Sequence, residues 1–182
     1  GVRVRLLLDD GGTANLDKEL LALHHHANIE VRLFNPFTQR GWLKSLGYVT
    51  EFSRTNRRMH NKSFSADGQS SIVGGRNVGN EYFGATDGVL FADLDVLVIG
   101  PVVQDIEQDF DRYWNNMAAY PADQIVAGAP QPLDTLRANG TALAQSPAAQ
   151  DYQKALKSTS FVQHLLQAQL PMEWAPAKLV SD

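Results

Sequence analysis

Cysteine is absent from the 182 residues, so this chain can build neither a disulfide nor a thiolate metal site. That leaves the choice between a reducing and an oxidising compartment open. Long apolar runs are missing too. No stretch approaches the roughly 20 residues of a membrane-spanning helix, and no positively charged leader precedes an apolar segment. The expectation is a segment that is soluble or peripheral as it stands. Positive charge is scarce, with 16 Lys and Arg against 20 Asp and Glu and a net charge of −4. Nucleic-acid enzymes draw much of their affinity from neutralising phosphates, so this balance weighs against nucleic acid as partner. What remains is a globular composition, 43% hydrophobic and 20% charged, of a size that buries one core.

Periodicity predicts an α/β fold. Residues 2–8 alternate Val and Arg before Leu6-Leu7-Leu8, and read as a strand ending at Asp9-Asp10-Gly11-Gly12. Leu16, Leu20, Leu21 and Leu23 suggest an amphipathic helix, and Ile29 to Phe34 a second strand stopped by Asn35-Pro36. Strand, helix, strand implies a parallel crossover. Residues 43–58 read as short helix or irregular chain, and Ser70 to Val73 as a strand. Leu94 to Ile99 is apolar apart from Asp95, as a buried central strand would be. Pro101 opens a helix whose Val102, Ile106, Phe110, Tyr113, Trp114 and Met117 form a core stripe and not a cofactor box. From Pro121 the composition turns to Ala, Gln and Pro. A loop is expected at 121–132, helices at 133–145, 148–158 and 161–169, and a strand beginning at Leu179. The division is residues 1–120 as a catalytic half-domain and 121–182 as a partly helical connecting segment.

Four of the five histidines fall in two settings. In His24-His25-His26, consecutive helical side chains diverge by about 100°, which speaks against a shared metal ion, and no metal site is expected. Asp9 and Asp10 read as turn residues. His60 is different. Residues 60–77 follow H-x-K-x4-D-x6-G-G-x-N, through His60, Lys62, Asp67, Gly74, Gly75 and Asn77. Histidine can attack phosphorus, lysine can neutralise phosphate oxygens, and glycines admit a ligand close to backbone beside an asparagine donor. A strand over 60–65 would put His60, Lys62 and Phe64 on one face. Arg54, Arg57 and Arg58 precede the motif, either as a solvated loop or as local attraction for an anionic headgroup.

This pattern resembles the HKD motif of the phospholipase D superfamily. The run Gly74-Gly75-Arg76-Asn77-Val78-Gly79-Asn80-Glu81-Tyr82-Phe83 resembles bacterial cardiolipin synthases and their phospholipase D-like relatives, and the likeness extends from the opening strand through Asp93-Leu94-Asp95-Val96 to Trp174-Ala175-Pro176-Ala177. Where the commoner pattern has Gly-Ser, this chain has Gly74-Gly75, leaving backbone donors alone there.

The resemblance implies a phospholipase D-like half-domain with a mixed central sheet flanked by helices. It also implies phosphatidyl transfer or phosphodiester cleavage through a phosphohistidine, with no cofactor. His60 would be the nucleophile, Lys62 and Asn77 the phosphate ligands with the Gly75 backbone, and Asp67 the motif's third member, organising the loop. Glu81 and Arg58 would support the site. The substrate would be a phosphatidylglycerol-like phospholipid, met by peripheral contact at the bacterial cytoplasmic membrane. Only one motif is present, because His164 is followed by Leu165-Leu166. A second half is therefore expected from the same full-length polypeptide, or from a homodimer. The alternatives are a phospholipase D-type hydrolase, a single-motif homodimeric nuclease, and an inactive isolated half.

Overall fold

The computed structural model describes residues 1–37, 58–77 and 93–181. The fold is α/β. Contacts divide the chain into two interleaved units, Gly1–Asn61 with Glu107–Arg137, and Lys62–Ile106 with Ala138–Asp182. The boundary expected after residue 120 falls inside a short strand of the first unit.

The first unit is built on β1 (Val4–Asp9), α1 (Asp17–His24) and β2 (Ile29–Phe34), with β6 (Ala119–Pro121) antiparallel to β2. β1 and β2 are parallel and in register from Val4 opposite Ile29 to Asp9 opposite Phe34, as the crossover requires. Alternation then gives the sheet two unlike faces. On one, Leu6, Leu8, Val31 and Leu33 meet Leu20 and Leu21 of α1 and Ala122 and Val126 around α3 (Ala122–Ile125). Val31 and Leu33 are fully buried there. On the other, Arg5 lies 4.9 Å from the Phe110 ring and Arg32 4.5 Å from the Trp114 ring, in the C-terminal part of α2 (Val102–Trp114). Arg32 also donates to Trp114 O (2.8 Å) and Arg5 pairs with Asp111 (2.5 Å). Arg5 of the Val-Arg-Val-Arg run and Arg32 of β2 thus serve a packed aromatic face.

The second unit contains β3 (Lys62–Ala66), β4 (Ser70–Gly74) and β5 (Asp95–Ile99), an antiparallel sheet in that order. The hairpin joining β3 to β4 turns at Asp67 and Gly68, with φ of 52° and 65°, and Gln69 N–H donates to Ala66 O (3.0 Å). Asp-Gly is the pair such a turn favours, since both central residues need positive φ. Helices α4 (Leu133–Ala144), α5 (Pro147–Ser158) and α6 (Ser160–Leu166) follow, close to the spans expected. Ser146 and Thr159 cap the last two by accepting from Ala149 and Val162 N–H.

Several expectations are corrected. β5 is an edge strand among the described residues, with Val96 46% and Ile99 38% exposed, because it pairs with β4 alone. Its other side lines a groove of about 880 Å³ with Phe161, Leu170, Met172 and Trp174. Met117 lies beyond α2 and is exposed, while Val103 takes a buried place in the stripe. β6 and α3 occupy part of the expected 121–132 loop, and residues 167–181 form no strand. The described strands fall into one mixed and one antiparallel sheet. Residues 43–57 lie outside the described residues.

Candidate phosphate-transfer site

The motif strand starts later than alternation implies. β3 begins at Lys62, and His60 and Asn61 precede it in irregular chain, His60 exposed. The shared-face argument for His60 and Lys62 therefore does not apply, since period-two alternation needs extended, paired backbone.

Within the second unit the register aligns the rest of the motif. Lys62 stands opposite Gly74, and Gly74 opposite Asp95, so the lysine and the glycine turn share one end of the sheet. Asp67 is at the other end. Five residues of strand at about 3.3 Å each put it about 16 Å along from Lys62. Its left-handed backbone conformation suits the hairpin turn.

Gly74 and Gly75 have a packing reason. A Cβ on Gly74 would stand 2.7 Å from Leu94 O and collide with the Asp95 carboxylate, and one on Gly75 would collide with the Asp93 carboxylate. Gly75 N–H points at Leu94 O (3.4 Å), so close approach of the chain entering β5 is by itself a reason for glycine there. Arg76 Nε sits 2.9 Å from Asp95 Oδ2, joining the same two segments, the turn after β4 and the start of β5. Asn77 is exposed beyond this turn. Glu81, Arg54 and Arg57 lie outside the described residues.

In the first unit the residues before His60 are held by an aspartate that local spacing assigns to a turn. Asp9 Oδ1 accepts from Gly11 N–H (2.8 Å) and from the Arg58 guanidinium, and Asp9 Oδ2 accepts from Met59 N–H (2.9 Å). Arg58 also lies 5.0 Å from the Phe37 ring centroid and is largely buried. It forms an internal ion pair with Asp9. Asp10, fully buried, accepts from Thr13 Oγ1 (2.6 Å) and Phe37 N–H (2.9 Å). An Asp-Asp pair at a strand end carries no sequence signal of a partner 49 residues away.

Two histidines of the run accept from backbone. His24 Nδ1 accepts from Val31 N–H (3.1 Å), while Nε2 faces Asp123 Oδ1 at 3.3 Å, a carboxylate invisible to local spacing. His26 Nδ1 accepts from Asn28 N–H (3.1 Å). Both rings have a nitrogen committed to backbone, and among the described residues no cluster of three His, Asp or Glu is placed to hold a metal ion.

No protein-family profile matches the chain. It is 48% identical to Cardiolipin synthase C of Escherichia coli, in an alignment covering all of this chain and 38% of that protein. The chain belongs to the cardiolipin synthase-like phospholipase D superfamily. Cardiolipin synthase A of Pseudomonas fluorescens is 33% identical over 63% of this chain and 22% of its own length. Cardiolipin synthase of Oceanobacillus iheyensis is 32% identical over the same shares. The chain thus spans about two-fifths of the first of these superfamily members and less than a quarter of the others.

Proposed function

We propose that this chain is one catalytic half of a cardiolipin synthase-like phosphatidyltransferase. The observation that carries the reading is the 48% identity to Cardiolipin synthase C along the chain's full length, a stretch that includes the one H-x-K-x4-D-x6-G-G-x-N pattern. A neutral imidazole nitrogen of His60 attacks the phosphorus of a phosphatidylglycerol-like lipid. The N–P bond forms as the P–O bond to glycerol breaks, and the electron pair leaves on the glycerol oxygen. An acceptor alcohol then displaces His60. Lys62 offsets charge on the nonbridging oxygens and Asn77 donates to them.

Expelling an alkoxide calls for a proton. A positioned general acid typically contributes about 10² to 10⁴-fold, and Lys62 is a poor donor while it holds phosphate. The reading assigns that proton to a second histidine, from a second half of the same polypeptide. Among the described residues no helix is long and apolar enough to cross a membrane, and the lipid is met by peripheral contact at the bacterial membrane. The net charge of −4 disfavours the homodimeric nuclease.

The test is product analysis with the intact gene product on phosphatidylglycerol vesicles. Cardiolipin is the expected product. Phosphatidic acid alone, with or without added glycerol, would make the protein a hydrolase, and cleavage of DNA without lipid turnover would sink the lipid reading.

A further inference from the structure

We infer that Asp9 is a positioning residue for His60, fixing the backbone that presents the imidazole. The inference rests on His60 being the nucleophile. Asp9 ends β1, a strand held in register with β2 over six residues, so its carboxylate projects from a firmly held strand end. Its two oxygens divide the work: Oδ1 takes Gly11 N–H and the Arg58 guanidinium, and Oδ2 takes Met59 N–H. Arg58 is itself placed by the Phe37 ring and by Asn35 O at 3.5 Å. The side chains of Arg58 and Asp9 are only 16% and 19% exposed. Residues 58 and 59 are therefore tied through main chain and side chain alike, and His60 is the next residue.

The chemistry of the tie is specific to a carboxylate. An asparagine offers one acceptor oxygen, so its amide nitrogen would face either the Met59 N–H or the Gly11 N–H, donor against donor, and the charge opposite Arg58 would be lost. Reaction rate is sensitive to such placement. A misplacement of about 1 Å can cost about 10²-fold even when binding is unchanged.

The experiment uses the full chain and bis(p-nitrophenyl) phosphate. Nitrophenolate leaves unprotonated, so the first displacement can be followed without a second histidine. The imidazole lone pair forms the N–P bond while one P–O bond breaks toward nitrophenolate, giving a burst and a p-nitrophenylphosphoryl label on His60. Hydrogen exchange is followed at the Met59 amide, with the β2 amides as the control for folding. For Asp9→Asn the expected result is protected β2 amides, faster exchange at Met59, and a burst rate constant lower by about 10- to 100-fold at a half-saturating concentration within about twofold of wild type. Asp9→Glu, which keeps the charge but moves it by one methylene, should show the same pattern more weakly.

A folded Asp9→Asn with wild-type burst or wild-type exchange at Met59 overturns the inference and leaves the nucleophile reading intact. Loss of the fold in both variants overturns it too, making Asp9 a purely structural residue. A wild-type chain that never labels His60 removes the nucleophile reading, and the positioning role with it.

Discussion

The two three-stranded sheets are stabilised in different ways. In β1–β2–β6, Val31 and Leu33 are fully buried, whereas in β3–β4–β5 Phe64 is 70% exposed, Ile72 41% and Val96 46%. The difference follows from how the strands are joined. A parallel pair needs a crossover, and the crossover here delivers α1 onto the sheet as its own apolar cover. A hairpin closes through Asp67 and Gly68 without carrying a helix across the sheet, and among the described residues of β3, β4 and β5 only Ser71 is fully buried. His60 belongs to the unit with the buried frame and Lys62 to Asn77 to the unit with the exposed ladder. Placement of His60, the proposed nucleophile, should therefore depend on burial and fixed polar contacts, and placement of Lys62 and Asn77, the proposed phosphate ligands, on turn geometry.

The sharpest break in this comparison is chemical. His60→Ala should abolish phosphodiester turnover by the intact gene product, whereas His24→Ala should cost stability and leave the phosphoenzyme in place. Retention of a phosphoryl label by His60→Ala would show that another residue is the nucleophile. Next comes the contrast in packing. Leu33→Ala should lower unfolding free energy by about 2–5 kcal/mol, as deletion of a fully buried side chain does. Ile72→Ala, at 41% exposure, should cost about 1 kcal/mol or less. Urea titrations of the two variants measure the difference directly, and equal midpoints would mean that the second sheet has a core comparable to the first.

Gly74→Ala sharpens the account of the exposed ladder. The added methyl meets Leu94 O and the Asp95 carboxylate, and should cost about 1–3 kcal/mol through displacement of the chain entering β5. A neutral result in the same titration would return the glycine pair to the phosphate. Asp67→Asn is the mildest change. Asparagine tolerates the left-handed conformation as well as aspartate does, so stability should stay within about 0.5 kcal/mol. Loss of turnover should fall far short of that caused by Lys62→Ala, and a loss as deep would put Asp67 back among the catalytic residues.

Elements with strong local signals are legible in the amino-acid sequence. The helix at Asp17–His24, the strand Ile29–Phe34 and the three C-terminal helices carry periodic apolar positions, caps or prolines at their ends. The strand before Asp67 is legible too, but it starts two residues later than alternation suggests, because a His-Asn-Lys start has no punctuation and strand ends depend on a partner's register. Leu94–Ile99 misleads for a physical reason: an apolar run reports a preference for burial without saying what covers it. Among the described residues β5 is an edge that faces a groove.

Amino-acid order is enough for the class of fold and for the kinds of side-chain chemistry on offer. Local propensity and periodicity depend on neighbours along the chain, and a histidine, a lysine and a glycine pair at set spacing state their reactivity without coordinates. Tertiary structure alone decided what the carboxylates do. Asp93 and Asp95 crowd the two glycines, and Asp9 holds Arg58 and the Met59 amide ahead of His60. An aspartate reads the same at every position of a sequence, because its role is set by which donors the fold brings to it, and those come from residues dozens of positions away.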